Sequence, residues 1–230
     1  MIIRWMLVLA TMSAGVAAFA SHTAFAQAAA QPGFGKDPRR PQGTPFALPA
    51  GVELAGPLLG ADDDGNCPKP QTARAGSGLW VRACMPVRNR TGAPVTIIFP
   101  PGLVIVTTSE GFQNGLLVER QVVVIPPTVT GGGRLLDKDG KPTDIVHVPL
   151  HLYCLNQGKD PSVPGARYVL GPVTQHSGLS DLYAFMADKD YKGDGQRVEA
   201  IQEVVWEVIK RGRFTAKDGA DIVQGYIADE

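Results

Sequence analysis

The densest group of chemically capable side chains lies in one run, Ile145-Val146-His147-Val148-Pro149-Leu150-His151-Leu152-Tyr153-Cys154-Leu155. Two histidines, a tyrosine and a cysteine so close together would suit a zinc centre or a thiol nucleophile activated by imidazole. The backbone that must carry them decides against both. Pro149 argues against a helix and fits an edge strand. Alternation then sets Val146, Val148, Leu150, Leu152 and Cys154 on a core face, and His147, His151 and Tyr153 on the other. Four residues apart on a strand, His147 and His151 stand about 13 Å from each other, whereas zinc holds its nitrogen ligands at ~2.1 Å. They are expected to face solvent. Cys154 points away from both, so neither histidine reaches it within the ~3 Å of a hydrogen bond.

Other candidates are weaker. Asp62-Asp63-Asp64-Gly65-Asn66 offers oxygen ligands for calcium but lacks the distal bidentate Glu of an EF-hand loop, so a solvated acidic turn is expected. His176 sits in a loop flanked by Pro172 and Gly178, with no partner in sequence. No Gly-x-Ser-x-Gly elbow, HExxH or paired CxxC occurs. The reading assigns no catalytic residues, no metal and no cofactor.

The elements behind these residues follow from the pattern of breaks. Short apolar runs (Leu79 to Met85, Val95 to Phe99, Leu103 to Thr107, Leu116 to Ile125, Ile145 to Leu155, Tyr168 to Leu170) alternate with Pro- and Gly-rich turns. Strands of that length and spacing predict a mainly β chain, an antiparallel β-sandwich (Ig-like) over about 79–170. After Gly171 the period becomes 3.6 and predicts a small C-terminal α-helical layer over about 178–228. Its members are a short helix, Leu179 to Ala187, and a longer one, Val198 to Lys210, with the stripe Val198, Ile201, Val205, Ile209 and Gly212 as its stop. A last helix opens at the capping box Thr215-Ala216-Lys217-Asp218 and runs toward Ile227. Residues 27–61, rich in Pro and Gly without an apolar period, predict a flexible leader ahead of the folded part, 62–230.

The chain has 230 residues, 22 basic and 22 acidic side chains, 44% hydrophobic and 7% aromatic residues, 27 Gly and 19 Pro. Balanced charge supplies no field to gather phosphates, which excludes a nucleic-acid partner on electrostatic grounds. At the N-terminus, Arg4, the uncharged run Trp5 to Ala20 and Ala24-Phe25-Ala26 form a signal peptide over 1–26. No later segment has the ~20 apolar residues of a membrane span. An oxidising compartment gives the three cysteines meaning. A bridge from Cys67, in a turn-rich run, to Cys84 in the next strand leaves Cys154 unpaired. A Cys84–Cys154 bridge would leave Cys67 free, and spacing does not decide between them.

Gln202 lies on the long helix with Val205, Trp206 and Ile209 at i+3, i+4 and i+7, an apolar flank where an amide needs a partner. A core-facing Cys154 and a half-buried Gln202 are expected to meet. At this point the chain resembles the thioester-forming domains of bacterial surface adhesins. Tyr153-Cys154-Leu155 is similar to that family's cysteine motif, and Ile201-Gln202-Glu203-Val204-Val205 to its glutamine motif. The resemblance implies attack of the Cys154 sulfur on the Gln202 amide carbon with loss of ammonia, giving a thioester that a nucleophile on a target surface could open. Ile201 and Val204 depart from that family's Thr and Ala.

These readings make the chain a periplasmic or secreted binding or structural component of the cell envelope, without catalytic activity. Its partner would be an envelope or surface protein or a glycan. The alternatives are the adhesin-like thioester module and an enzyme whose site assembles from loops. N-terminal sequencing of the exported protein should begin at Gln27, and recovery of intact Met1 in the membrane fraction would contradict it.

Overall fold

Residues 31–128 and 135–225 are described in the computed structural model. The signal sequence expected over 1–26, and Ile227, lie outside them. In chain order the strands are β1 (Thr44–Pro45), β2 (Val52–Leu54), β3 (Leu58–Gly60), β4 (Val81–Asn89), β5 (Val95–Phe99), β6 (Leu103–Thr107), β7 (Gly115–Leu116), β8 (Gln121–Ile125), β9 (Leu135–Leu136), β10 (Pro142–Thr143), β11 (Val146–Cys154) and β12 (Arg167–Val173). Helices α1 (Ser177–Met186), α2 (Gly195–Arg211) and α3 (Ala216–Gln224) follow.

The expected mainly β, antiparallel character is present, but the Ig-like sandwich is replaced by a closed barrel. β12 pairs with β3 through Arg167–Leu59 and Tyr168–Leu58, and with β6 through Tyr168–Thr107, Val169–Val106 and Leu170–Ile105. The ring β12-β3-β4-β11-β7-β6 therefore closes on itself. Sandwich and barrel strands share the same inward–outward alternation, so the sequence pattern does not separate them; the two-sided pairing of β12 does. Inward residues of the two nine-residue strands, Val81, Ala83, Met85 and Val87 from β4 and Val146, Val148, Leu150, Leu152 and Cys154 from β11, fill the barrel with Leu58, Ile105 and Tyr168. The β5–β8 ribbon covers part of this core with Ile97, Phe99, Val123 and Ile125.

Two further expectations are corrected. From Gln31 on, the span read as a flexible leader is built into the fold: β3 is a barrel strand, β1 pairs with β12, β2 pairs with β4, and Phe34 is buried. Its glycines supply turn geometry, as at Gly33 with φ 80°. β11 is also no edge strand. Residues 70–78 run along it, His147 N–H donating to Pro70 O and His151 N–H to Ala75 O. Pro149 is tolerated because its missing N–H falls on this irregular side, where its carbonyl still accepts from Ala75. Gly76 and Gly78 permit the approach, since a Cβ on either would stand 2.1 Å from a β11 carbonyl oxygen.

The helical layer packs on the outer ends of β6, β7 and β11. Val198, Ile201, Val204, Val205 and Val208 of α2 meet Val104, Leu116, Val118, Tyr153 and Leu155. Gly212 ends α2 in the left-handed region with φ 80°, and the Thr215/Asp218 capping box opens α3. Asp218 also takes an ion pair from Arg211 at 2.6 Å, tying the two helices. Val205→Asp, which buries a carboxylate in this layer, should cost about 3–5 kcal/mol. Glu203→Ala on the exposed side should stay within about 0.5 kcal/mol of wild type. Denaturant midpoints ranked the other way would contradict the α2 register.

Candidate functional site

Cys67 and Cys84 form the disulfide, and Cys154 is a free, buried thiol. Cys84 faces outward from β4, and the bridge pins the 62–71 turn over it together with Ala61. Within that turn Asp62 Oδ1 accepts from the backbone N–H of Asp64 at 3.1 Å and of Asn66 at 2.6 Å. This carboxylate organises its own loop. No cluster of three potential metal ligands exists among the described residues.

Neither histidine of β11 faces solvent as expected, because residues 65–78 cover the outer face. His151 is buried and donates from Nε2 to Gly65 O at 3.2 Å. His147 is half-buried, its Nδ1 sealed without a partner. Desolvation lowers the pKa of both rings, favouring the neutral form.

The structure brings Cys154 and Gln202 together through the backbone. Gln202 Oε1 accepts from Cys154 N–H at 2.7 Å, and Gln202 Nε2 donates to Cys154 O at 3.0 Å. The Cys154 side chain belongs to the barrel interior. Burial pushes its pKa up to about 12, keeping the sulfur a thiol.

Sequence reasoning missed a second buried cluster. Glu119 Oε1 accepts from Ser77 Oγ in a very short contact, Ser77 Oγ lies 2.6 Å from Tyr153 Oη, and Tyr153 Oη donates to Glu119 Oε1 at 3.5 Å. Glu119 is only 5% exposed and its Oε2 has no partner. Desolvation raises its pKa, with the Ser77 hydrogen bond a smaller opposing effect. Ser77, Tyr153 and Glu119 are each closed to solvent, so the cluster is reached by no substrate from the surface in this structure. The signal available in sequence was Glu119 directly after the apolar run Leu116-Leu117-Val118.

An accessible site lies where the 31–39 segment passes α2. A groove of about 810 Å³ opens there, within the range of small-molecule sites. His176 lines it, backed by the buried Phe34, 3% exposed, with ring centroids 5.9 Å apart and 24° from parallel, and the half-buried Trp206 and Ile209 of α2 line it too. His176 is the N-cap of α1, its Nδ1 accepting from Leu179 N–H at 3.4 Å. Desolvation lowers its pKa, and in the neutral ring that acceptor role puts the proton on Nε2. Lys36, Arg39, Lys210, Asp37 and the amides of Gln31 and Gln157 also line it.

No family model, curated protein or solved structure matches the chain. The site must be read from its own chemistry.

The buried carboxyl gives a pH signature. An acid whose folded-state pKa is raised contributes stability that is full below its ordinary value of 4.5 and is lost as pH rises through the folded value. Glu119→Gln keeps the shape and removes the titration. The variant's stability relative to wild type should therefore grow as pH rises above the ordinary value of 4.5, measured by urea unfolding across the acid to neutral range. A constant difference across that range would contradict the burial of an ionisable carboxyl.

Proposed function

We propose that this chain is an exported, non-catalytic binding protein of the cell envelope, and that its ligand occupies the groove between the 31–39 segment and α2. The observation that carries this reading is the groove itself, a cleft of small-molecule size in which Leu155, Trp206, Ile209 and His176 stand beside charged and amide side chains. The Cys67–Cys84 disulfide is consistent with an oxidising compartment, and among the described residues no helix is long and apolar enough to cross a membrane. The nearest thing to a catalytic constellation, Ser77–Tyr153–Glu119, is closed to solvent.

The adhesin-like thioester is the second reading, favoured by the contact of Cys154 with Gln202. Against it stand the engagement of both ends of the carboxamide with the Cys154 backbone and the placement of the sulfur in the barrel core. Intact mass separates the two readings: the binding protein keeps the Gln202 ammonia and titrates one free thiol after denaturation, whereas the thioester loses ammonia and titrates none.

A thermal-shift screen over organic acids, sugars and short peptides tests the groove. At least one class should raise the melting temperature of wild type and leave unchanged Ile209→Trp, which fills the groove. Stabilisation that survives Ile209→Trp, or no stabilising class at all, would contradict the assignment.

A further inference from the structure

The groove is chemically one-sided. Three basic side chains, Lys36, Arg39 and Lys210, line it against one acidic group, Asp37. That carboxylate is committed to Arg39, which reaches it with Nε at 3.0 Å and Nη2 at 2.5 Å. Lys36 makes no ion pair among the described residues, and Lys210 has only a long 3.5 Å contact with Glu207 on an exposed flank. His176 adds an Nε2–H donor, since its Nδ1 is occupied by the Leu179 N–H. The rim is therefore rich in donors and positive charge, and its one carboxylate is already taken. Behind it, His176, backed by the buried Phe34, lines the groove with Trp206 and Ile209, half-buried ring and aliphatic surface that suits a flat apolar body.

We propose that the groove binds an organic carboxylate with a flat, aromatic or conjugated body, the rings lying along His176 and Trp206 and the carboxylate held at the rim by Lys36, Lys210 and the His176 Nε2–H. This rests on the reading of the groove as the ligand site and adds the ligand's chemical class. A neutral ligand would leave the rim cations without a counter-charge. A cationic one would meet Lys36 and Lys210, with Asp37 already paired to Arg39.

Three probes sharing one ring system isolate the charge: 2-naphthoate, 2-naphthamide and 2-naphthylmethylamine, titrated calorimetrically into the disulfide-intact chain. The carboxylate should bind at least tenfold more tightly than the amide, about 1.4 kcal/mol, and the amine should bind least. Lys36→Glu and Lys210→Glu, both at exposed positions, should each weaken naphthoate severalfold with the circular dichroism spectrum unchanged, and Ile209→Trp should abolish its binding. Amide or amine binding as tight as the carboxylate overturns the anion assignment and leaves the groove reading standing. So does failure of all three probes when the thermal-shift screen has found a ligand that Ile209→Trp excludes. Failure of both experiments overturns both readings, and naphthoate binding indifferent to all three substitutions overturns this one by placing the probe elsewhere.

Discussion

The carboxamide of Gln202 completes a β-ladder. The odd residues of β11 direct their peptide groups toward the 70–78 segment, as His147 and His151 show, so the even ones face β4. The last register pair on that side is Leu152 opposite Val81. Cys154, two residues on, presents an N–H and a C=O where β4 has already ended, and both are buried. Gln202 supplies one acceptor and one donor in the geometry a strand residue would, and is itself 1% exposed. Without it, two buried backbone groups would each lose about 1–3 kcal/mol. The same two bonds fix where α2 sits along the barrel, and Trp206 and Ile209 follow on α2 as the groove's far wall.

The near wall hangs from the next residue. Leu155 O accepts from Gly35 N–H at 2.9 Å, while the Asn114 and Asn156 side-chain amides donate to Gly33 O at 3.2 and 3.0 Å, and Asn156 donates to Gly35 O at 3.1 Å. Consecutive residues at the end of one strand thus hold opposite sides of the groove: Cys154 the helix, Leu155 the segment carrying Phe34. Tyr153, just before them, joins the Glu119–Ser77 cluster. A chain with few aromatic residues places a stacked ring pair and an indole at this cleft, on backbone whose hydrogen bonds are satisfied inside the barrel end.

What could be read beforehand was whatever local period dictates. The inward face of β11, the α2 stripe with its Gly212 stop and the Thr215 capping box depend on residues near in sequence, and each stands in the structure. Barrel closure was not legible, because it depends on β12 pairing on two sides and leaves no mark in alternation. The 31–61 span lacked an apolar period, yet its backbone is satisfied by Asn114, Asn156 and Leu155, more than fifty positions away. His147 and His151 were assigned to solvent for the same reason: one strand's alternation cannot report that a neighbouring segment lies over its outer face. Of the groove, His176 was noted without a partner and Trp206 only as a neighbour of Gln202. Phe34, the ring stacked on His176, lay in the discounted leader.

Gln202 serves the backbone of Cys154 and not its sulfur. Urea unfolding of Gln202→Leu beside Cys154→Ala tests it most directly. Gln202→Leu orphans a buried N–H and a buried C=O and should cost about 2–5 kcal/mol. Cys154→Ala removes one sulfur from the barrel and leaves both bonds intact, at about 1–2 kcal/mol. The Cys154 amide should also exchange with deuterium far faster in the first variant than in the second. Equal or inverted losses, with unchanged exchange at Cys154, would contradict the account.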